Sequence, residues 1–185
     1  MTRLVFLTFL VVSTVLPLFS FDGYSLVRNT TSHLGAQASP LAWVMNVTFV
    51  ALGITAVLVS WQTRVTYHQV LGTCFGVSLL LTGVFHHAPL VDGVPVNQFH
   101  DLLHSVFASS TGLFFTLLAA GHGFMNDGSQ RIVGFIMAGI AIVFSLGMFV
   151  APDYMGLLQR AMFIGSFWWL FFYMEPDKRL QRRAK

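Results

Sequence analysis

Charge is what this sequence has least of. Asp, Glu, Lys and Arg make up 9% of its 185 residues, against about a quarter in soluble domains. With 55% apolar residues and a mean hydropathy of +0.72, a water-soluble fold would lack polar surface to cover itself. The expected solvent is lipid, where each helical span needs about 20 apolar residues. Cysteine is nearly missing too. The lone Cys74 excludes an intramolecular disulfide and reads as a small packing residue. There is no G-x-S-x-G elbow, no Walker sequence, no C-x-x-C pair, no internal repeat and no low-complexity stretch. The formal charge of +3 does not point to nucleic acid, because the basic residues are distributed for topology.

What is present is a series of six apolar segments, at residues 4–19, 41–61, 67–85, 101–121, 132–150 and 157–174. Unpaired backbone groups are not tolerated in lipid, so these segments are predicted to be helices. The expectation is an all-α polytopic membrane protein, one six-helix bundle over residues 1–185. Its short connections imply antiparallel neighbours. The first segment ends in Pro17-Leu18-Phe19-Ser20, like a signal peptide, but no A-x-A site follows and it reads as a retained helix. Arg3, Arg64, Arg131, Lys178, Arg179, Arg182, Arg183 and Lys185 fall on one side, and only Arg28 and Arg160 on the other. The positive-inside rule therefore predicts N-in, C-in topology in the cytoplasmic membrane, the tail KRLQRRAK anchoring the C-terminus. Gly72-x-x-x-Gly76 and the run Ser105, Ser109, Ser110, Gly112 mark close helix packing.

The chemistry concentrates on the predicted outer side. His33, His86, His87, His100 and His104 all lie at or beside helix ends there. His100 and His104 are four residues apart, on one helical face, a spacing that suits two ligands of a divalent metal such as zinc. His86, His87, His33 or Asp92 would complete the set. Metal-bound water would be a nucleophile near neutral pH, with Asp92 or Asp101 as base or support, for hydrolysis or transfer on a lipid-like substrate. Arg160 and Gln159 sit inside a span, where ionisable residues usually face a partner or a cavity. Asp101 or Asp153 is the expected partner of Arg160, and an anionic headgroup its expected ligand, with Arg28, Ser32 and Gln159 as further polar contacts. Two other readings stand beside this one. His68 and His86, like His104 and His122, are eighteen residues or five turns apart, so each pair shares a face, and in antiparallel neighbours His68 would face His122 and His86 would face His104, as in a two-haem cytochrome. Alternatively the histidines are interfacial residues of a non-catalytic subunit that binds lipid or a membrane protein partner. Few ionisable residues lie at mid-depth, which argues against a transport path.

The stretches YSLVRNTTSHLGA and SPLAWVMNVTFVALG, then LTGVF, HDLLHSVFA and GLLQR, resemble the small prokaryotic membrane proteins of domain of unknown function family 998. The resemblance covers nearly the whole chain. It implies six helices in a bacterial or archaeal membrane and no established activity. It also implies an aspartate after the serine of the first loop, giving S-D-L-G. Here His33 stands in that place, which adds an imidazole to the outer cluster.

Overall fold

A computed structural model describes residues 1–175, and the basic tail expected to anchor the C-terminus lies outside the described residues. Every regular element among the described residues is helical. In order they are α1 (Thr2–Val15), α2 (Thr31–Leu34), α3 (Ala42–Gln62), α4 (Thr66–Val84), α5 (Gln98–Met125), α6 (Gly128–Val150) and α7 (Met155–Trp168). Short 3-10 turns follow α1 and α6, and a π-helical turn, Trp169–Tyr173, continues α7.

Local chemistry sets the ends. Asn97 starts α5 by accepting the His100 N–H on its Oδ1 at 3.2 Å, so this helix begins three residues before its apolar run and is 28 residues long. The chain leaves α6 just before Pro152 because a residue preceding proline is driven out of helical geometry, and Ala151 accordingly has φ −126° and ψ 69°. Among the described residues, five helices are long and apolar enough to cross a membrane: Thr2–Phe19 with its 3-10 turn, α3, α4, α5 and α6. The segment expected as a sixth span is instead divided between α7 and the π turn, and it carries the polar pair Gln159 and Arg160.

Contacts run in chain order from α3 through α7, and α1 packs on both α3 and α7, closing a ring. Two ends follow. The long-loop end carries residues 20–41, 85–97 and 151–154; the short-turn end carries residues 63–65 and 126–127. α3 and α4 are nearly in backbone contact. A Cβ on Gly76 would meet Val57 Cγ2 at 2.7 Å, and one on Gly83 would meet the Asn46 carbonyl at 2.6 Å. The Gly72-x-x-x-Gly76 face is thus spent on internal packing, which small residues permit by letting backbones approach. α5 and α6 touch the same way at the short-turn end, where a Cβ on Gly134 would meet the Gly123 nitrogen at 2.7 Å. Between α4, α5 and the last turn, the ring is filled by Phe75, Phe115, Phe167 and Trp169.

Candidate functional site

The polar residues of the long-loop end are organised by the first loop. Arg160, buried on α7, is tied into it completely. Its Nη1 donates to the carbonyls of Leu26 at 3.0 Å, Asn29 at 2.7 Å and Gly156 at 3.0 Å, and its Nε donates to Ser13 of α1 at 3.2 Å. Its Nη2 meets the Tyr24 hydroxyl, and the guanidinium carbon lies 5.8 Å from the Tyr24 ring centre. The partners are carbonyls and a phenol, not Asp101 or Asp153. Arg160 is a bracket joining the loop to α1 and α7, and its charge is solvated by backbone dipoles. Burial raises the Tyr24 pKa against the opposing effect of the Arg160 charge, so the phenol stays neutral. Gly156 makes the seating possible, since a Cβ there would meet the Leu26 carbonyl at 2.7 Å.

The expected histidine set divides in two. His104 donates Nδ1–H to the carbonyls of Thr82 at 3.0 Å and Phe85 at 2.8 Å. Its ring centre lies 5.5 Å from that of His87, which in turn lies 5.0 Å from that of His33. His100 turns the other way: its Nδ1 accepts the His86 N–H at 3.4 Å, and the two rings are 5.4 Å apart. A shared helical face did not mean a shared direction. His33 Nδ1 accepts from the Thr30 N–H at 3.3 Å and from Asn29 Nδ2 at 3.1 Å. That is the acceptor role a carboxylate plays three residues into a short helix, so imidazole can stand where the resemblance led one to expect aspartate. With Nδ1 accepting, the ring proton is on Nε2, which then offers no lone pair to a metal. Burial, followed by the charges of His87, His104 and Arg160, lowers the His33 pKa to about 4. Burial and the His100 charge also lower that of His86.

Among the described residues no three of His, Cys, Asp and Glu are placed to hold a metal ion. Asp101 accepts the Ala88 N–H at 2.7 Å and so staples the second loop, while Asp92 and Arg28 lie exposed on their loops. Haem does not fit either. His68 and His122 meet, as their spacing predicts, but by a direct Nε2–Nδ1 hydrogen bond of 3.0 Å, which closes the gap an iron and its porphyrin would fill. His122 Nε2 continues to Gln130 Oε1 at 3.0 Å. His86 and His104 belong to different groups, as above.

A cavity of about 600 Å³ with mostly apolar walls lies in the long-loop half of the ring. Its walls come from Phe49 of α3, Phe75, Leu79 and Thr82 of α4, residues between Ala108 and Thr116 of α5, residues between Ala141 and Met148 of α6, and Met162, Phe163, Ser166 and Phe167 of α7. Ser32 and Gln159 lie at its polar end. α5 and α6 are in close contact at Gly123 and Gly134, whereas a Cβ on Gly112 of α5 or Gly139 of α6 would meet nothing within 4 Å. Leu113, Ile142 and Leu146 line the cavity and yet are 57%, 49% and 60% exposed, so it opens sideways through the ring between α5 and α6. From Ala108 to Thr116 the wall rises about 12 Å. Apolar walls with a few polar groups are the usual character of a small-molecule site.

Of the four residues expected to bind a ligand, Ser32 and Gln159 line this cavity, Arg160 braces the loop behind it, and Arg28 is remote from it. Sequence reasoning did not find the walls, because Phe75, Phe115 and Phe167 look like any core residues. It also gave no role to Tyr24 or to Gln37, whose amide bridges the carbonyls of His86 and Asn97 across two loops.

A model of the family described as protein of unknown function (DUF998) matches residues 4–174. No curated protein and no solved structure matches the chain.

Proposed function

The chain belongs to the DUF998 family, and from its geometry we propose a membrane protein that binds a lipid-like amphiphile, the tail reaching the cavity sideways from the bilayer. The observation that carries this reading is the opening between α5 and α6, flanked by the exposed apolar side chains Leu113, Ile142 and Leu146. A cavity open to water would have polar lips; these lips match hydrocarbon. In this reading α7 and its π turn form a sixth crossing. Arg3, Arg64 and Arg131 belong to the short-turn end and Arg28 and Arg160 to the long-loop end, which supports N-in, C-in orientation with the long loops outside the cytoplasmic membrane. The cavity then lies in the outer half of a hydrocarbon core of about 30 Å, and the histidine loops cover its polar end.

The test is native mass spectrometry of detergent-purified protein, wild type beside Ala141→Phe. Ala141 is buried on the cavity wall, and a phenyl ring there occupies the space a tail would take. Lipid of defined mass should be retained by the wild type and lost from the variant, with both folded. Equal retention would contradict the reading.

A further inference from the structure

The polar end of the cavity differs from a phospholipid site in having no charge. Among the described residues no Lys, Arg, His, Asp or Glu lines the cavity. The nearest cation, Arg160, is engaged on four carbonyls and Tyr24. A phosphate or carboxylate drawn in here would be desolvated without a counter-ion, which costs far more than a hydrogen bond returns.

What the walls do offer is unspent hydrogen-bond donors. Gln159 Oε1 accepts from the Thr31 N–H at 2.8 Å and the Thr31 hydroxyl at 2.6 Å. A backbone N–H can only donate, so the atom facing it must be the oxygen, and the amide Nε2 is left for the cavity. Ser32, beside Thr31, lines the same end, and its hydroxyl has no partner among the described residues. Ser166, deeper on α7, is likewise without one. The hydroxyls of Thr82, Thr111 and Thr116 are spent on their own helices. At the polar end the free groups form a donor pair, Gln159 Nε2 and the Ser32 hydroxyl, while Ser109 and Ser166 offer single hydroxyls elsewhere on the walls.

Resting on the amphiphile-binding reading, we infer that the ligand is an uncharged single-chain lipid whose head presents a carbonyl, an ester or amide oxygen, to Gln159 Nε2 and the Ser32 hydroxyl. Gln159 is the specificity residue: the first loop fixes its oxygen, which in turn aims its nitrogen.

Three probes with one oleoyl tail test this: 1-monoolein, oleic acid and oleoyl lysophosphatidic acid, titrated at pH 8 against purified full-length protein in neutral detergent and read by native mass spectrometry. Monoolein should bind at least about tenfold tighter than either anion. Ser32→Ala, which removes a donor that holds nothing else in place, should weaken monoolein about three- to tenfold and leave oleate unchanged. Gln159→Glu keeps the oxygen for Thr31 while replacing the donor nitrogen, and should weaken monoolein by more. Equal binding of the three probes, or preference for an anion, overturns the inference while leaving the cavity reading intact. Binding of none overturns both.

Discussion

Imidazole at position 33 is held neutral by the fold, and this makes pH a probe of the first loop. With a folded pKa of about 4 against about 6.5 when unfolded, His33 takes up its proton more readily in the unfolded chain. Its contribution is fully present above pH 6.5 and is lost as pH falls toward 4. The displacement corresponds to about 3 kcal/mol at most. The melting temperature of detergent-purified protein should therefore drop between pH 7 and pH 5. His33→Gln, which keeps an acceptor for the Thr30 N–H, should flatten that slope. Arg160 makes a second test at this scale. Arg160→Met strands the carbonyls of Ser13, Leu26, Asn29 and Gly156 and should cost about 3 kcal/mol or more. Tyr24→Phe, which removes one hydroxyl from the same bracket, should cost about 1 kcal/mol. Thermal unfolding of the three proteins ranks them. Equal melting of Arg160→Met and wild type would show that the bracket carries no stability.

At the scale of elements, the glycines separate helix faces that touch from faces that do not. Gly76→Ala forces a methyl against Val57 and the Gly53 carbonyl and should destabilise the α3–α4 pair by about 1–3 kcal/mol. Gly139→Ala on α6 meets nothing within 4 Å, so the gain in helix propensity should leave it neutral or slightly stabilised. This pair also shows what the sequence could and could not tell. The apolar runs located the helices, since hydropathy is local. The Gly72-x-x-x-Gly76 spacing announced a close contact but not its partner, which the antiparallel neighbour α3 supplies. The break of the last segment into α7 and a π turn left no trace in periodicity. For the site, Ser32 and Gln159 are visible as polar residues near span ends, whereas the cavity depends on how side chains of five helices pack together. The i, i+4 rule put His100 and His104 on one face, but rotamers then sent one toward Thr82 and the other toward His86. Carboxylates are the partners the sequence suggests for Arg160, but the fold supplies backbone carbonyls, two of them brought over α7 by the first loop.

The whole molecule is a ring of helices closed by aromatic side chains in one half and hollow in the other. The closed half holds the helices together through Gly123, Gly134 and the His68–His122–Gln130 chain, and the other half contains the cavity. On the proposed reading, shape and lateral access would choose an apolar tail, and a few fixed donors would choose its head. Photolabelling tests it most directly. A monoacylglycerol with a diazirine midway along its tail would be irradiated with the protein in bilayers, and the adducts mapped by peptide mass spectrometry. The account expects labels concentrated in residues 108–116 of α5 and 141–148 of α6, and their loss in Ala141→Phe. Labels spread over outward-facing residues such as Leu4 and Leu7 of α1, unchanged by the substitution, would contradict it.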